Sequence, residues 1–129
     1  DLIDSGMGML ARVGIDGRAA VRVADLAHGE RRLLELALVL CGDPALLLLD
    51  EPMAGAGSEE SQHMIDIIDR VRGHAGILLI EHDMDAVFRL ADRVTVLVEG
   101  AVIASGTPAE ISANRDVRTA YLGSEDAGA

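Results

Sequence analysis

Five apolar residues in succession, Ala45-Leu46-Leu47-Leu48-Leu49, lead into two adjacent carboxylates, Asp50 and Glu51, and the chain turns at Pro52. A strand that is apolar at every position belongs in a sheet covered on both faces, the usual setting of parallel strands. Its polar end is then the part left open to chemistry, and in open α/β sheets the carboxyl ends of the strands face the ligand crevice. Two neighbouring carboxylates at such an end suit a divalent cation and a general base acting on water. The competing reading is an acidic strand end that simply meets solvent.

The rest of the chain narrows the chemistry. Its 129 residues are enough for one domain with a real core, 50% are hydrophobic, and aromatic residues are nearly absent, so that core is built from Leu, Ile, Val, Ala and Met. The longest apolar stretch, Leu33 to Leu49, is interrupted by Glu35, Gly42, Asp43 and Pro44, so no membrane span is expected. No charged segment followed by an apolar one opens the chain, so no secretory signal is read. The single cysteine, Cys41, excludes an internal disulfide and is read as a small core residue at the end of an apolar helix. A formal charge of -11 argues against nucleic acid as a partner. All the basic residues are arginines. The absence of lysine removes a phosphate-loop lysine, a Schiff-base lysine and the lysine of an acidic phospho-acceptor domain.

Periodicity orders the elements. Leu2, Ile3, Met7, Leu10 and Val13 fall near helical spacing, Gly14 stops that stretch, and 14–25 reads as irregular. A helix is expected from Gly29 to Cys41, with Gly42 as its stop and Asp43-Pro44 as the turn. After the apolar strand, Gly55-Ala56-Gly57 reads as a loop and Ser58 as the N-cap of a helix to about Arg72 that buries Met64, Ile65, Ile68 and Val71. Gly76 opens a second apolar strand, Ile77-Leu78-Leu79-Ile80, which ends in Glu81-His82-Asp83. Strand, helix, strand at this spacing is a βαβ unit with parallel strands, so His82 is expected beside Asp50 and Glu51. Beyond it, Asp83 or Asp85 should cap a short helix, and Glu99-Gly100 should turn a hairpin of Val94–Val98 and Ala101–Ser105. Thr107-Pro108-Ala109-Glu110 has the layout of a capping box, and a helical tail should run to Leu122 before a frayed end, 123–129. His63, His74 and the pair Arg31 and Arg32 are read as surface residues, and Met53, Met64 and Met84 as packing residues.

Four features follow one another in order: Leu26-Ala27-His28-Gly29-Glu30 opening a helix, the strand ending Asp50-Glu51-Pro52, the loop Met53–Gly57, and the strand ending Ile80-Glu81-His82-Asp83. This order resembles the C-terminal part of an ABC-transporter ATP-binding subunit, where the four are the signature, Walker B, D-loop and switch-histidine motifs. The text around them, including Gly106-Thr107-Pro108-Ala109-Glu110-Ile111 and Ala120-Tyr121-Leu122-Gly123, resembles the branched-chain amino acid uptake type over roughly residues 22–123. The fold class implied is α/β: a partial P-loop NTPase fold with parallel strands, flanking helices and a C-terminal β-hairpin. The divisions implied are the end of a helical subdomain over 1–25, the C-terminal part of the ATPase core over 26–106 and a helical tail over 107–129.

The resemblance also implies roles. Asp50 would hold Mg²⁺ through water, Glu51 would orient and deprotonate the attacking water, and His82 would contact the γ-phosphate. Ala27, His28, Gly29 and Glu30, with Gly57 of the D-loop, would complete a nucleotide site, the 26–30 loop serving that of the opposite subunit. A helix N-terminus offers free N–H groups to a phosphate, which suits Gly29. Ala27 stands where the pattern usually has serine, and the lost hydroxyl is worth roughly 1.5–3 kcal/mol of nucleotide-dependent closure. Gly57 stands where many relatives have aspartate.

No G-x-x-x-x-G-K-[ST] sequence is present, so the chain reads as a C-terminal fragment that binds and hydrolyses no ATP by itself. The expected function is ATP hydrolysis in an ABC importer for branched-chain or related amino acids. Its cofactors would be ATP and Mg²⁺, and its partners a second ATPase subunit and membrane permease subunits. The expected location is cytoplasmic, peripheral on the inner face of the cell membrane. The alternatives are a metal-dependent phosphohydrolase using Asp50, Glu51 and His82, and a non-catalytic association module whose exposed apolar surface drives self-association.

Overall fold

A computed structural model describes residues 1–122, and the chain forms two compact units, Asp1–His82 and the chain from Asp83 onward. The expected frayed segment 123–129, with Gly123, Glu125 and Asp126, lies outside the described residues.

The first unit opens with α1 (Leu2–Arg12), capped by the Asp1 carboxylate, which accepts from the Ile3 N–H at 3.2 Å. Gly14, at φ +77°, turns the chain away from α1, and two short 3₁₀ turns, Asp16–Arg18 and Val23–Asp25, fill the passage expected to be irregular. Helix α2 (His28–Leu40) follows, shifted one residue toward the N-terminus from the expected range, and buries Leu33, Leu36, Ala37 and Leu40. Strand β1 (Leu46–Asp50), helix α3 (Ser58–Val71) and strand β2 (Gly76–Ile80) complete the βαβ unit. The two strands pair in parallel from Leu46↔Gly76 to Asp50↔Ile80, which places their carboxyl ends level. Helix α3 buries Met64, Ile65, Ile67, Ile68 and Val71, one residue more than its sequence spacing suggests. Its N-cap is Gly57, with no side-chain cap bond, and Ser58 is already helical.

Two expectations are overturned here. The sheet is not covered on both faces: Leu47 is 2% exposed, whereas Leu46, Leu48, Leu78 and Ile80 are 59, 68, 58 and 56% exposed. In a parallel pair the residues at matching register share a face, so cover on one side alone leaves alternate leucines in solvent. Cys41 is exposed as the C-cap of α2, because the stripe that ends at Leu40 points its next position away from the core.

The second unit contains α4 (Met84–Leu90), β3 (Val94–Val98), β4 (Ala101–Gly106), α5 (Pro108–Ala113) and α6 (Arg115–Leu122). Asp83 caps α4, its carboxylate accepting from the Ala86 N–H at 3.2 Å. The hairpin forms with Glu99 at φ +51° and Gly100 at φ +79°, the paired left-handed geometry that matches strand twist, and its register shifts between Val96 and Leu97. The capping box forms as read: Thr107 Oγ1 accepts from the Glu110 N–H at 3.2 Å, and Glu110 Oε2 accepts from the Thr107 N–H at 2.8 Å. Val94, Val96, Ile111 and Val117 make the core of this unit, with Phe88 packed against it. The Tyr121 hydroxyl donates to the Leu97 carbonyl at 2.8 Å and ties α6 to the hairpin.

Candidate functional site

The level carboxyl ends of β1 and β2 bring Glu51 and His82 together: His82 Nδ1 lies 3.0 Å from Glu51 Oε1. The Glu51 N–H donates to the Ile80 carbonyl at 2.8 Å, extending the ladder by one residue past β1. Both side chains remain open to solvent, 47% exposed for Glu51 and 71% for His82. Such an exposed pair contributes little to stability, and both groups stand where a ligand can reach them.

The backbone at Glu51 is also unusual. Its φ of +46° is in the left-handed region, which a side chain with a Cβ seldom occupies and which costs of order 1–3 kcal/mol. The turn is pinned by surrounding bonds. The Ala54 N–H donates to the Glu51 carbonyl at 3.0 Å, Arg32 Nη1 donates to the Pro52 carbonyl at 3.2 Å, and the Met53 N–H donates to Glu81 Oε1 at 3.1 Å. Periodicity gave no sign of this backbone conformation.

Asp50 is exposed at the last position of β1, in register with Ile80. Among the described residues no group of three or more His, Cys, Asp or Glu side chains is arranged to hold a metal ion. A cation at Asp50 would therefore take the rest of its shell from water and from phosphate oxygens, the habit of Mg²⁺.

The residues at the start of α2 line a separate groove. Ala27, Gly29 and Glu30 face Pro52 and Ala56 of the loop after β1 and Glu60 of α3 across it. Gly29 is a point of close approach: a Cβ there would lie 3.1 Å from the carboxylate of the exposed Glu60, which would have to shift. Glu60 lies in the first turn of α3, and its position against Gly29 is a tertiary fact. Ala27 has no side-chain oxygen, so only the returning half of a capping box exists: Glu30 Oε2 accepts from the Ala27 N–H at 2.9 Å. Glu30 Oε1 also pairs with Arg18 Nε at 2.8 Å. His28 is exposed in the first turn of α2, and Gly57 is the N-cap of α3. Neither is among the residues lining the groove.

Three residues read as surface positions are tied to backbone carbonyls instead. Arg31 Nη2 donates to the Ala24 carbonyl at 2.8 Å, Arg32 is engaged by Pro52, and His63 Nε2 lies 3.2 Å from the Val13 carbonyl. Carbonyls at chain turns lack ladder partners, and long cationic or imidazole side chains within reach satisfy them.

Residues 7–54 match the ABC transporter family model, and residues 101–127 match the model of the branched-chain amino acid ATP-binding cassette transporter. The high-affinity branched-chain amino acid transport ATP-binding protein LivG of Salmonella typhimurium is 40% identical over 125 residues, which is 95% of this chain and 49% of that protein. The corresponding protein BraF of Pseudomonas aeruginosa is 42% identical over 100 residues, 76% of this chain and 39% of that protein. The chain thus spans about half the length of the curated relatives it matches. Among solved structures, MJ1267, an ATP-binding cassette of an ABC transporter, superposes with a TM-score of 0.81 at 21% identity, covering 94% of this chain and 50% of that one. The cbiO1 protein of Clostridium perfringens, part of the ABC transporter complex cbiONQ, gives 0.78 at 29% identity, covering 95% and 51%. The motif order, the parallel strand pair and these similarities agree: the chain is similar to ABC-transporter ATP-binding proteins, branched-chain amino acid members among them.

Proposed function

We propose that this chain forms part of the ATP-binding subunit of an importer for branched-chain or related amino acids, driven by ATP hydrolysis. The observation that carries the reading is the parallel register of β1 and β2, which sets Glu51 and His82 3.0 Å apart at one sheet edge. With Glu51 Oε1 facing His82, Oε2 is the oxygen that takes a proton from the attacking water. With Nδ1 facing Glu51, Nε2 is the ring nitrogen left to face a phosphate oxygen, to which it donates only when the ring carries both protons. Asp50 is the residue that would hold Mg²⁺, and the ion, when bound, would neutralise charge on the phosphate oxygens.

The groove with Ala27, Gly29 and Glu30 is the surface offered to the nucleotide of a second ATPase subunit, with His28 and Gly57 at its margins. The division into a helical subdomain end (1–25), core (26–106) and tail (107–129) belongs to this reading. So do a permease partner and a place on the inner face of the cell membrane. No helix of the described residues is long and apolar enough to cross a membrane, which fits attachment through another subunit.

The test is turnover by the complete subunit carrying His82→Ala. ATP hydrolysis should fall on the order of 10²-fold, since a phosphate-contacting group acts mainly on transition-state charge, while nucleotide affinity changes far less. Unchanged turnover would remove His82 from the site. The exposed aliphatic face of Leu46, Leu48, Leu78 and Ile80 adds a prediction for the chain studied alone. It should self-associate as concentration rises, and a strictly monomeric mass by light scattering would count against that.

A further inference from the structure

Glu81 is the residue that the reaction scheme above leaves unused. Its carboxylate is half-buried between the two strand ends. One oxygen, Oε1, accepts from the Met53 N–H at 3.1 Å, and the other, Oε2, accepts from the His82 N–H at 3.1 Å. One side chain therefore ties the loop after β1 to the turn after β2, across 28 positions of sequence. Met53 is 5% exposed and lies two residues past Glu51, so fixing its amide fixes the turn from which Glu51 projects.

Rigidity has to come from somewhere. Glu51 and His82 are largely in solvent, and an exposed ion pair does not hold its own geometry against side-chain entropy. The left-handed backbone at Glu51 also opposes its own position and persists only if its neighbours over-determine it. The strand ladder ends at the Glu51 N–H, and beyond it the turn's own backbone bonds, such as Ala54 N–H to the Glu51 carbonyl, tie the loop only to itself, so side chains supply its anchors to other elements. Arg32 holds the Pro52 carbonyl from the α2 side, and Glu81 holds the Met53 amide from the β2 side. Of these two anchors, Glu81 is the one that engages both loops. A carboxylate suits the task because it offers two equivalent acceptor oxygens. Glutamine would turn an amide donor toward one of the two N–H groups, and aspartate is a methylene too short for the same span.

We propose that Glu81 is a positioning residue, which sets the spacing of Glu51 and His82 by holding the Met53 and His82 amides on one carboxylate. The inference rests on the ATPase reading for its catalytic consequence, while its structural half is measurable without nucleotide. In this chain, amide hydrogen exchange followed by NMR should show the Met53 and His82 N–H groups exchanging roughly tenfold or more faster in Glu81→Ala than in the unaltered chain. The β1 and β2 amides should stay as they were. Glu81→Gln should keep partial protection, since one acceptor oxygen survives.

In the complete subunit, Glu81→Ala should lower kcat by roughly 10- to 100-fold with KM nearly constant, and Glu81→Gln should recover part of the loss. Equal exchange at both amides in wild type and Glu81→Ala overturns the proposal, as does a kcat within twofold of wild type in both variants. If Glu81→Ala fails to fold, the glutamine variant decides by the same two readings. A wild-type subunit that shows no ATP turnover would instead overturn the ATPase reading and leave the exchange result to judge the anchor alone.

Discussion

Glu51→Gln in the complete subunit is expected to reduce ATP turnover by roughly 10²–10⁴-fold, the contribution of a positioned general base, with ATP still bound. The substitution keeps the shape of the side chain and an oxygen able to accept from His82 Nδ1, which lies 3.0 Å away. What it removes is the basic oxygen facing the water, so the effect belongs in the chemical step and not in binding. Single-turnover hydrolysis together with a nucleotide-binding titration separates the two. Normal hydrolysis by the glutamine variant would refute Glu51 as the base. Combining it with His82→Ala should be far from additive, because the two side chains act as one unit.

The second large effect concerns the core of the first unit. Ile68 is 1% exposed at the centre of the buried stripe of α3, and truncating it to alanine should cost about 2–5 kcal/mol. Native domains hold only about 5–15 kcal/mol in total, so this variant should lose its urea midpoint or fail to fold. Ile68→Val should cost only about 0.5–1.5 kcal/mol. Leu48, 68% exposed on the open face of the sheet, is the control. At dilutions where the chain is monomeric, Leu48→Ala should shift stability by no more than about 0.5 kcal/mol. A loss at Leu48 as large as that at Ile68 would mean that the face described as open is covered in solution.

Much of this arrangement was legible in the residues themselves. Glycines at 14 and 100 sit at φ +77° and +79°, where a turn needs them, and Thr107 and Glu110 cap α5 reciprocally. These are local effects, set within a few residues by steric limits and unsatisfied N–H groups. The βαβ order likewise implied parallel strands, and from that followed the meeting of Glu51 and His82. The apolar runs at 46–49 and 77–80 were misread in one respect. Hydrophobicity marks which residues can be buried, while the number of neighbours that arrive to cover them decides which ones are.

The sequence alone determined the elements, their order, the direction of the two strands and the family resemblance, because each depends on short-range stereochemistry or on the order of short motifs. Tertiary structure alone decided that Glu51 adopts a left-handed backbone, that Glu81 bridges two loops, that Glu60 closes over Gly29, and that Arg32 and His63 serve distant carbonyls. Each of those joins groups separated by 20 to 50 positions, apart from the backbone of Glu51, which such bonds hold in place. No periodicity or cap signal spans that distance; only the packed chain brings the partners within hydrogen-bonding range.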